Sequence, residues 1–238
     1  MEWTDDGIVL STRKHGETSA ILALMTRDHG RHLGLVRGGT SKRVRGVLQP
    51  GNRLHVRWRA RLSEHLGTYT CEMTGAAAAG LLRDRRRLAA LSAACAVAES
   101  TLPEREPHPK VFEDLARLLA GLADEAWPAA YVRWEINLLA ELGFGLDLSV
   151  CAATGANDQL VYVSPKSGRA VSLAAGEPYR TTLLPLPGFL LDGGPAGGPS
   201  EIADGLRLTG YFLERNVYRL LDRGLPPARA RLADRLKP

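Results

Sequence analysis

The sequence predicts a mixed α+β chain of more than one domain: a small N-terminal β-barrel followed by an α-helical bundle with a short irregular β insertion. Three observations predict this. Apolar residues recur two apart in the first third of the chain, at spacings of three, four and seven from Leu81 to Leu142, and again at helical spacing from Leu206 to Leu220. Between the helical stretches, Leu146–Pro187 carries only brief β signals.

The strands come first. Gly7–Arg13 and Thr18–Thr26 flank a polar break, and Asp28-His29-Gly30 forms the next turn. In His32–Arg37 apolar positions alternate, as in a half-buried strand, and Gly38-Gly39 closes it. Thr40–Gln49 reads as a polar, basic loop ending at the turn Pro50-Gly51. Leu54, Val56 and Trp58 then alternate with His55, Arg57 and Arg59, and Gly67–Met73 supplies a fifth strand. Five short strands without an intervening helical pattern match the strand count of an OB-type barrel.

Gly75–Gly80 marks the change of regime. Leu81, Leu88, Leu91, Cys95, Ala98 and Leu102 form one helical stripe, and Val111, Phe112, Leu115, Leu118, Leu119 and Leu122 a second, across the linker Pro103–Pro109. Pro128 suits the first turn of a third helix, where its missing N–H costs nothing. Gly143–Gly145 ends that helix, and three successive amphipathic helices imply a bundle. Leu160–Val163 and Ala170–Leu173 flank Ser164–Gly168 as a hairpin; Asp192–Pro199 is a Gly/Pro-rich loop; Leu206, Leu213, Val217 and Leu220 mark a fourth helix, halted by Gly224 and Pro226-Pro227. The expected domains are residues 1–78 and 79–238, with 146–190 the β region inserted in the second.

Composition excludes several classes. With 238 residues, 45% hydrophobic and 24% charged, the chain is neither disordered nor fibrous. The longest apolar stretch, Leu88–Ala98, is too short to span a membrane, and acidic Met1–Asp6 does not resemble a secretory signal. Cys71, Cys95 and Cys151 form no C-x-x-C pair, which fits a reducing cytosol. No Walker-type phosphate loop, nucleophile elbow or H-E-x-x-H helix occurs. His15, His29, His32, His55 and His65 lack ligand-like spacing and read as exposed residues of a basic barrel, while Cys95, Met73 and the aromatics read as packing. No catalytic residue, cofactor or metal is expected. Cys151-Ala152-Ala153-Thr154-Gly155 resembles half a zinc knuckle, but Thr154 stands where a second cysteine is needed and no Cys or His follows.

Charge carries the functional signal. The net charge is +5, and Met1–Gly80 alone holds twelve basic and seven acidic residues, so the whole excess sits in the first third. Lys42, Arg43 and Arg45 put three bases into four positions beside a diglycine, and Arg53, Arg57, Arg59 and Arg61 alternate onto one strand face. Such a surface suits a polynucleotide backbone, with Trp3, Trp58 and Tyr69 the few aromatics available for base stacking. A solvated basic face without a ligand competes with this reading. So do an RNA-binding module and an enzyme whose site, between barrel and bundle, would use His32 or Cys71.

Taken in order, further motifs resemble those of the RecO family of recombination mediators: Gly7-Ile8-Val9-Leu10, His15-Gly16-Glu17-Thr18-Ser19, Arg37-Gly38-Gly39-Thr40-Ser41-Lys42, Leu48-Gln49-Pro50-Gly51, Gly143-Phe144-Gly145-Leu146-Asp147-Leu148, Tyr162–Ser172 and Leu208-Thr209-Gly210-Tyr211-Phe212-Leu213. The resemblance covers nearly the whole chain. It implies an N-terminal OB-fold, a helical domain and a zinc-finger-like region, here degenerate and metal-free. It implies a cytoplasmic, nucleoid-associated bacterial protein that binds single- and double-stranded DNA and anneals complementary strands. It further implies loading of RecA onto SSB-coated DNA with RecR and often RecF, and contact with the acidic SSB tail. Arg13, Lys14, Arg37, Lys42, Arg43 and Arg45 fall where the family's DNA-binding surface lies, with Arg53, Arg57 and Arg59 beside them. Arg133, with Arg117 as a second candidate, falls where relatives supply basic residues toward the SSB tail.

Overall fold

The computed structural model describes residues 1–81, 83–194 and 197–238. They form two compact units: Met1–Ala123 with Pro226–Arg229, and Asp124–Leu225 with Ala230–Pro238. The first unit is built on β1 (Glu2–His15), β2 (Ser19–Thr26), β3 (Gly30–Val36), α1 (Lys42–Val47), β4 (Arg53–Arg59) and β5 (Thr68–Gly75). The five strands close into a barrel in the order β1-β2-β3-β5-β4.

Strand β1 makes the corner of this barrel. Its N-terminal part pairs with β4 from Glu2↔Arg59 to Ile8↔Arg53, and its C-terminal part with β2 up to His15↔Ser19. A register shift lies between Val9 and Ser11, and Ile8, Val9 and Leu10 are buried in succession, Val9 in the barrel core. A parallel contact, Leu35↔Thr68, closes the sheet between β3 and β5. Strand β4 alternates as its sequence demands: Leu54, Val56 and Trp58 are buried, while Arg53, His55, Arg57 and Arg59 are exposed.

Two elements depart from the sequence reading. Residues 42–47, expected in a loop, form a helix, with Ser41 as N-cap accepting the Val44 N–H at 3.4 Å. Six residues with Gly46 among them are too few for a periodic signal. His32 forms the second departure, whereas the aromatic residues around it pack as read rather than serving as stacking platforms. His32 is not exposed: its ring packs edge-on against Trp3, Trp58 and Tyr69, and its Nδ1 lies 2.8 Å from the Tyr69 hydroxyl. Trp58 and Tyr69 are core residues and offer no face for base stacking. Met73, expected in packing, is exposed.

Helices α2 (Arg85–Thr101) and α3 (Pro109–Gly121) belong to this same unit, α2 packing on β1 and β2. Asp84 caps α2 by accepting the N–H groups of Arg86 and Arg87, which holds its carboxyl below the usual range.

The second unit contains α4 (Trp127–Glu141), β6 (Leu160–Val163), β7 (Ala170–Ser172), the turn α5 (Leu173–Gly176), β8 (Leu184–Pro185) and α6 (Pro199–Phe212), with α7 (Pro227–Arg235) following. Pro128 lies in the first turn of α4, which packs on α6. The hairpin forms as expected: β6 pairs with β7, and Gly168 at φ +71° closes the turn with its N–H on the Ser164 carbonyl at 2.8 Å. Of the Gly/Pro-rich loop, Pro195 and Ala196 lie outside the described residues. The last apolar stripe is interrupted. Residues Leu213–Tyr218 continue α6 as a π-helix that ends at Tyr218, so Leu220 lies in the turn beyond it and is exposed. Helix α7, which begins at Pro227, was not expected.

Candidate nucleic-acid interface

The basic segment around α1 is held by contacts the sequence only partly discloses. Thr40 ties the segment to the β1–β2 turn, its N–H and its hydroxyl donating to the Thr18 carbonyl at 3.2 and 3.1 Å. Gly39 lies so close to Ala20 that a Cβ would come within 2.7 Å of the alanine methyl. At the other end Leu48 is buried in the barrel core, and its carbonyl accepts the Thr12 hydroxyl at 2.8 Å. The residue missed by sequence reasoning is Asn52. It is 3% exposed, and its Nδ2 donates to the carbonyls of Gly46 and Val47, both at 3.0 Å. Those carbonyls end α1 and have no intrahelical donor, so Asn52 serves as a C-terminal cap from outside the helix. The sequence signal was an Asn beside Pro50-Gly51, where it reads simply as turn chemistry.

Geometry sorts the predicted bases. Val44 and Val47 face the barrel half-buried, which leaves Lys42, Arg43 and Arg45 exposed. Arg37 lies just beyond β3, and Arg13 and Lys14 near the end of β1, all exposed. Among the described residues none of these six makes a salt bridge. A cleft of about 750 Å³ runs along one side of α1 and includes Lys14, Thr40, Arg45 and Gln49, with Glu17 as its acid. A second, of about 690 Å³, runs along the other side and includes Arg37, Arg43, Arg59, Thr68 and Thr70. Arg13 projects to the opposite strand face from Lys14 and lines neither.

The β4 arginines are differently placed. Arg57 and Arg59 both approach the Glu2 carboxylate, Arg59 Nε at 3.9 Å, and His55 Nδ1 lies 3.0 Å from Asp6 Oδ1. The antiparallel register puts this basic row beside the acids of β1, so part of its charge is answered within the sheet. Arg53 lines a separate cleft with Gly51, Gly75 and Ala76. In the helices, Arg117 pairs with Asp114 at 2.7 Å. Arg133 donates to the Phe189 carbonyl at 2.6 Å, and its guanidinium lies 5.4 Å from the centroid of that ring.

The two groups weighed for catalysis are poorly suited to it. Burial, with Arg105 and His29 nearby, lowers His32 to about 4 and keeps the ring neutral at pH 7 inside its aromatic cluster. Burial pushes the Cys71 thiol up to about 12, away from the reactive thiolate. Among the described residues no group of three or more His, Cys, Asp or Glu could hold a metal ion. Cys151 Sγ instead accepts the Ser172 N–H at 3.3 Å, and its turn is closed by Cys151 N–H to the Ala156 carbonyl at 2.7 Å and Gly155 N–H to the Cys151 carbonyl at 2.8 Å.

Comparison with known proteins identifies the family. Residues 1–77 match the family model described as Recombination protein O N terminal, and residues 82–223 the one described as Recombination protein O C terminal. A protein of Rhodospirillum centenum named DNA repair protein RecO is 59% identical over 239 residues, covering 100% of this chain and 95% of that protein. Proteins of the same name from Caulobacter vibrioides and Methylocella silvestris are 54% and 53% identical, covering 99% and 96% of this chain and 98% and 93% of theirs. With both halves matched in order and full-length relatives at more than half identity, the chain belongs to the RecO family.

Proposed function

We propose that this protein is a non-enzymatic mediator of DNA repair and homologous recombination that binds single- and double-stranded DNA through its N-terminal barrel and anneals complementary strands. The observation that carries the reading is the cluster of exposed bases on and beside α1 that make no salt bridge among the described residues. Annealing needs neither nucleophile nor metal, only neutralised phosphates and strands held in proximity. Closure of five strands in the order 1-2-3-5-4, with α1 between β3 and β4, supports the OB assignment. The family models, divided between residues 77 and 82, support a DNA-binding module of residues 1–78 and a second module of 79–238. Within the latter, residues 146–190 are a degenerate zinc-finger region whose hydrogen-bonded Cys151 turn does the work of a metal.

The wider assignment follows the family: loading of RecA onto SSB-coated DNA with RecR, and with RecF as a further partner, in the bacterial cytoplasm at the nucleoid. No helix among the described residues is long and apolar enough to cross a membrane. Arg133, beside the Phe189 ring, is the candidate for the SSB tail, whose acidic, Phe-terminated end would suit a base next to an apolar ring, and Arg117 is the alternative.

Fluorescence anisotropy of a labelled mixed-sequence ssDNA across a salt series tests the reading. If about four to six phosphates are neutralised, log K against log[salt] should have a slope of roughly −3 to −4. Lys42→Ala/Arg43→Ala/Arg45→Ala should weaken binding uniformly across sequences and flatten that slope. Unchanged affinity and slope in that variant would remove α1 from the site, and stronger competition by matched ssRNA would redirect the assignment to RNA.

A further inference from the structure

We propose that α1 divides the basic surface into two grooves, each of which holds the backbone of a separate DNA strand, so that one protein molecule presents two strands for annealing. This deepens the DNA-binding reading and rests on it.

The phase of the helix makes the division. Successive residues of an α-helix are 100° apart, so with Val44 and Val47 toward the barrel, Arg43 and Arg45 fall on opposite flanks and Lys42 on the outer crest. The cleft linings agree: Arg45 belongs with Lys14 on one side, Arg43 with Arg37 and Arg59 on the other. Each groove therefore owns a pair of bases without salt bridges among the described residues, Lys14 with Arg45 and Arg37 with Arg43. Each is also floored by groups a backbone can approach, Gly39 and Thr40 in one, Thr68 and Thr70 in the other.

Separation is what permits double occupancy. A helix with its side chains is about 10–12 Å across, so two backbones on its flanks lie beyond the Debye length of roughly 8 Å at physiological ionic strength. Their mutual repulsion is then largely screened, and the local bases neutralise what remains. Asn52 and Thr40 hold the dividing helix at its two ends.

The test uses the full-length chain and the octanucleotide dT8, which cannot pair with itself. Sedimentation at low salt should find two dT8 bound per wild-type molecule and one per molecule of Lys14→Ala/Arg45→Ala or of Arg37→Ala/Arg43→Ala. Each pair should lower apparent dT8 affinity only about twofold, the loss of one of two equal sites, while annealing of complementary 40-mers slows at least tenfold. Gln replacements at the same positions, which keep a polar side chain and remove only the charge and the outermost atoms, should behave alike, and unchanged circular dichroism verifies folding. One dT8 per wild-type molecule, with both pairs weakening that same site, would mean one continuous groove and overturn the proposal while leaving DNA binding intact. Normal annealing in both paired variants would overturn it as well. No dT8 binding by wild type would remove the DNA-binding reading itself.

Discussion

Asn52 offers the sharpest way to separate the position of the basic residues from their charge. Its side chain satisfies two terminal carbonyls of α1, and among the described residues no other side chain caps them. Each neutral hydrogen bond contributes about 1 kcal/mol net, so Asn52→Ala should destabilise the closed form of α1 by about 2 kcal/mol. The backbone role of Asn52 survives the change, since Val9 N–H still reaches the residue-52 carbonyl at 2.9 Å. Amide hydrogen exchange is the assay, because it reports local opening without requiring the two units to unfold as one. The Arg45 and Leu48 amides, bonded to the Ser41 and Val44 carbonyls at 2.9 and 3.0 Å, should lose roughly 30-fold in protection, the equivalent of 2 kcal/mol. Asn52→Asp should cost more, because a carboxylate cannot donate and puts negative charge at a helix C-terminus. DNA affinity should fall although every base is retained. Unchanged protection at residues 45–48 in both variants would refute the argument and leave Leu48 and Ser41 as sufficient anchors.

Other outcomes can be checked independently. His32 has its folded-state pKa depressed to about 4 from 6.5, so its contribution is complete above pH 6.5, falls as the unfolded chain takes up protons, and is fully lost below pH 4. Between pH 7 and pH 5 the wild type should lose about 2 kcal/mol more stability than His32→Gln, measured by urea unfolding at both pH values; equal losses would mean that the ring is protonated in the fold. Arg57→Ala/Arg59→Ala should reduce ssDNA affinity and salt slope less than Lys42→Ala/Arg43→Ala, because Glu2 already answers the β4 pair; a larger effect would place the strand on β4. Chelator treatment should leave the thermal midpoint unchanged and elemental analysis should find no stoichiometric zinc, whereas one zinc per chain lost together with stability would refute the metal-free turn at Cys151.

Local pattern made the strands legible. Alternation in residues 32–37 and 54–58 and the turn glycines located β3 and β4 to within a residue or two, and Pro128 marked the start of α4. The clustering of charge was legible too, since it needs only counting. Two misreadings share one cause: a residue's surroundings are set by chain segments far from it in sequence. His32 looked like a surface base because nothing within its own strand announces Trp3, Trp58 and Tyr69 closing round it. The β4 arginines looked as available as those of α1 because Glu2 is more than fifty residues away and reaches them only through antiparallel register.

The sequence by itself determined the order of the five barrel strands and of the long helices, the family, and the third of the chain that carries the excess positive charge, all properties of local spacing and composition. Only the tertiary structure decided which bases make no salt bridge among the described residues, that Lys42–Val47 is a helix rather than a loop, and that its flanks face different grooves. Those depend on barrel closure, which brings residues 2, 14, 45, 52 and 59 into relations that no window along the chain contains.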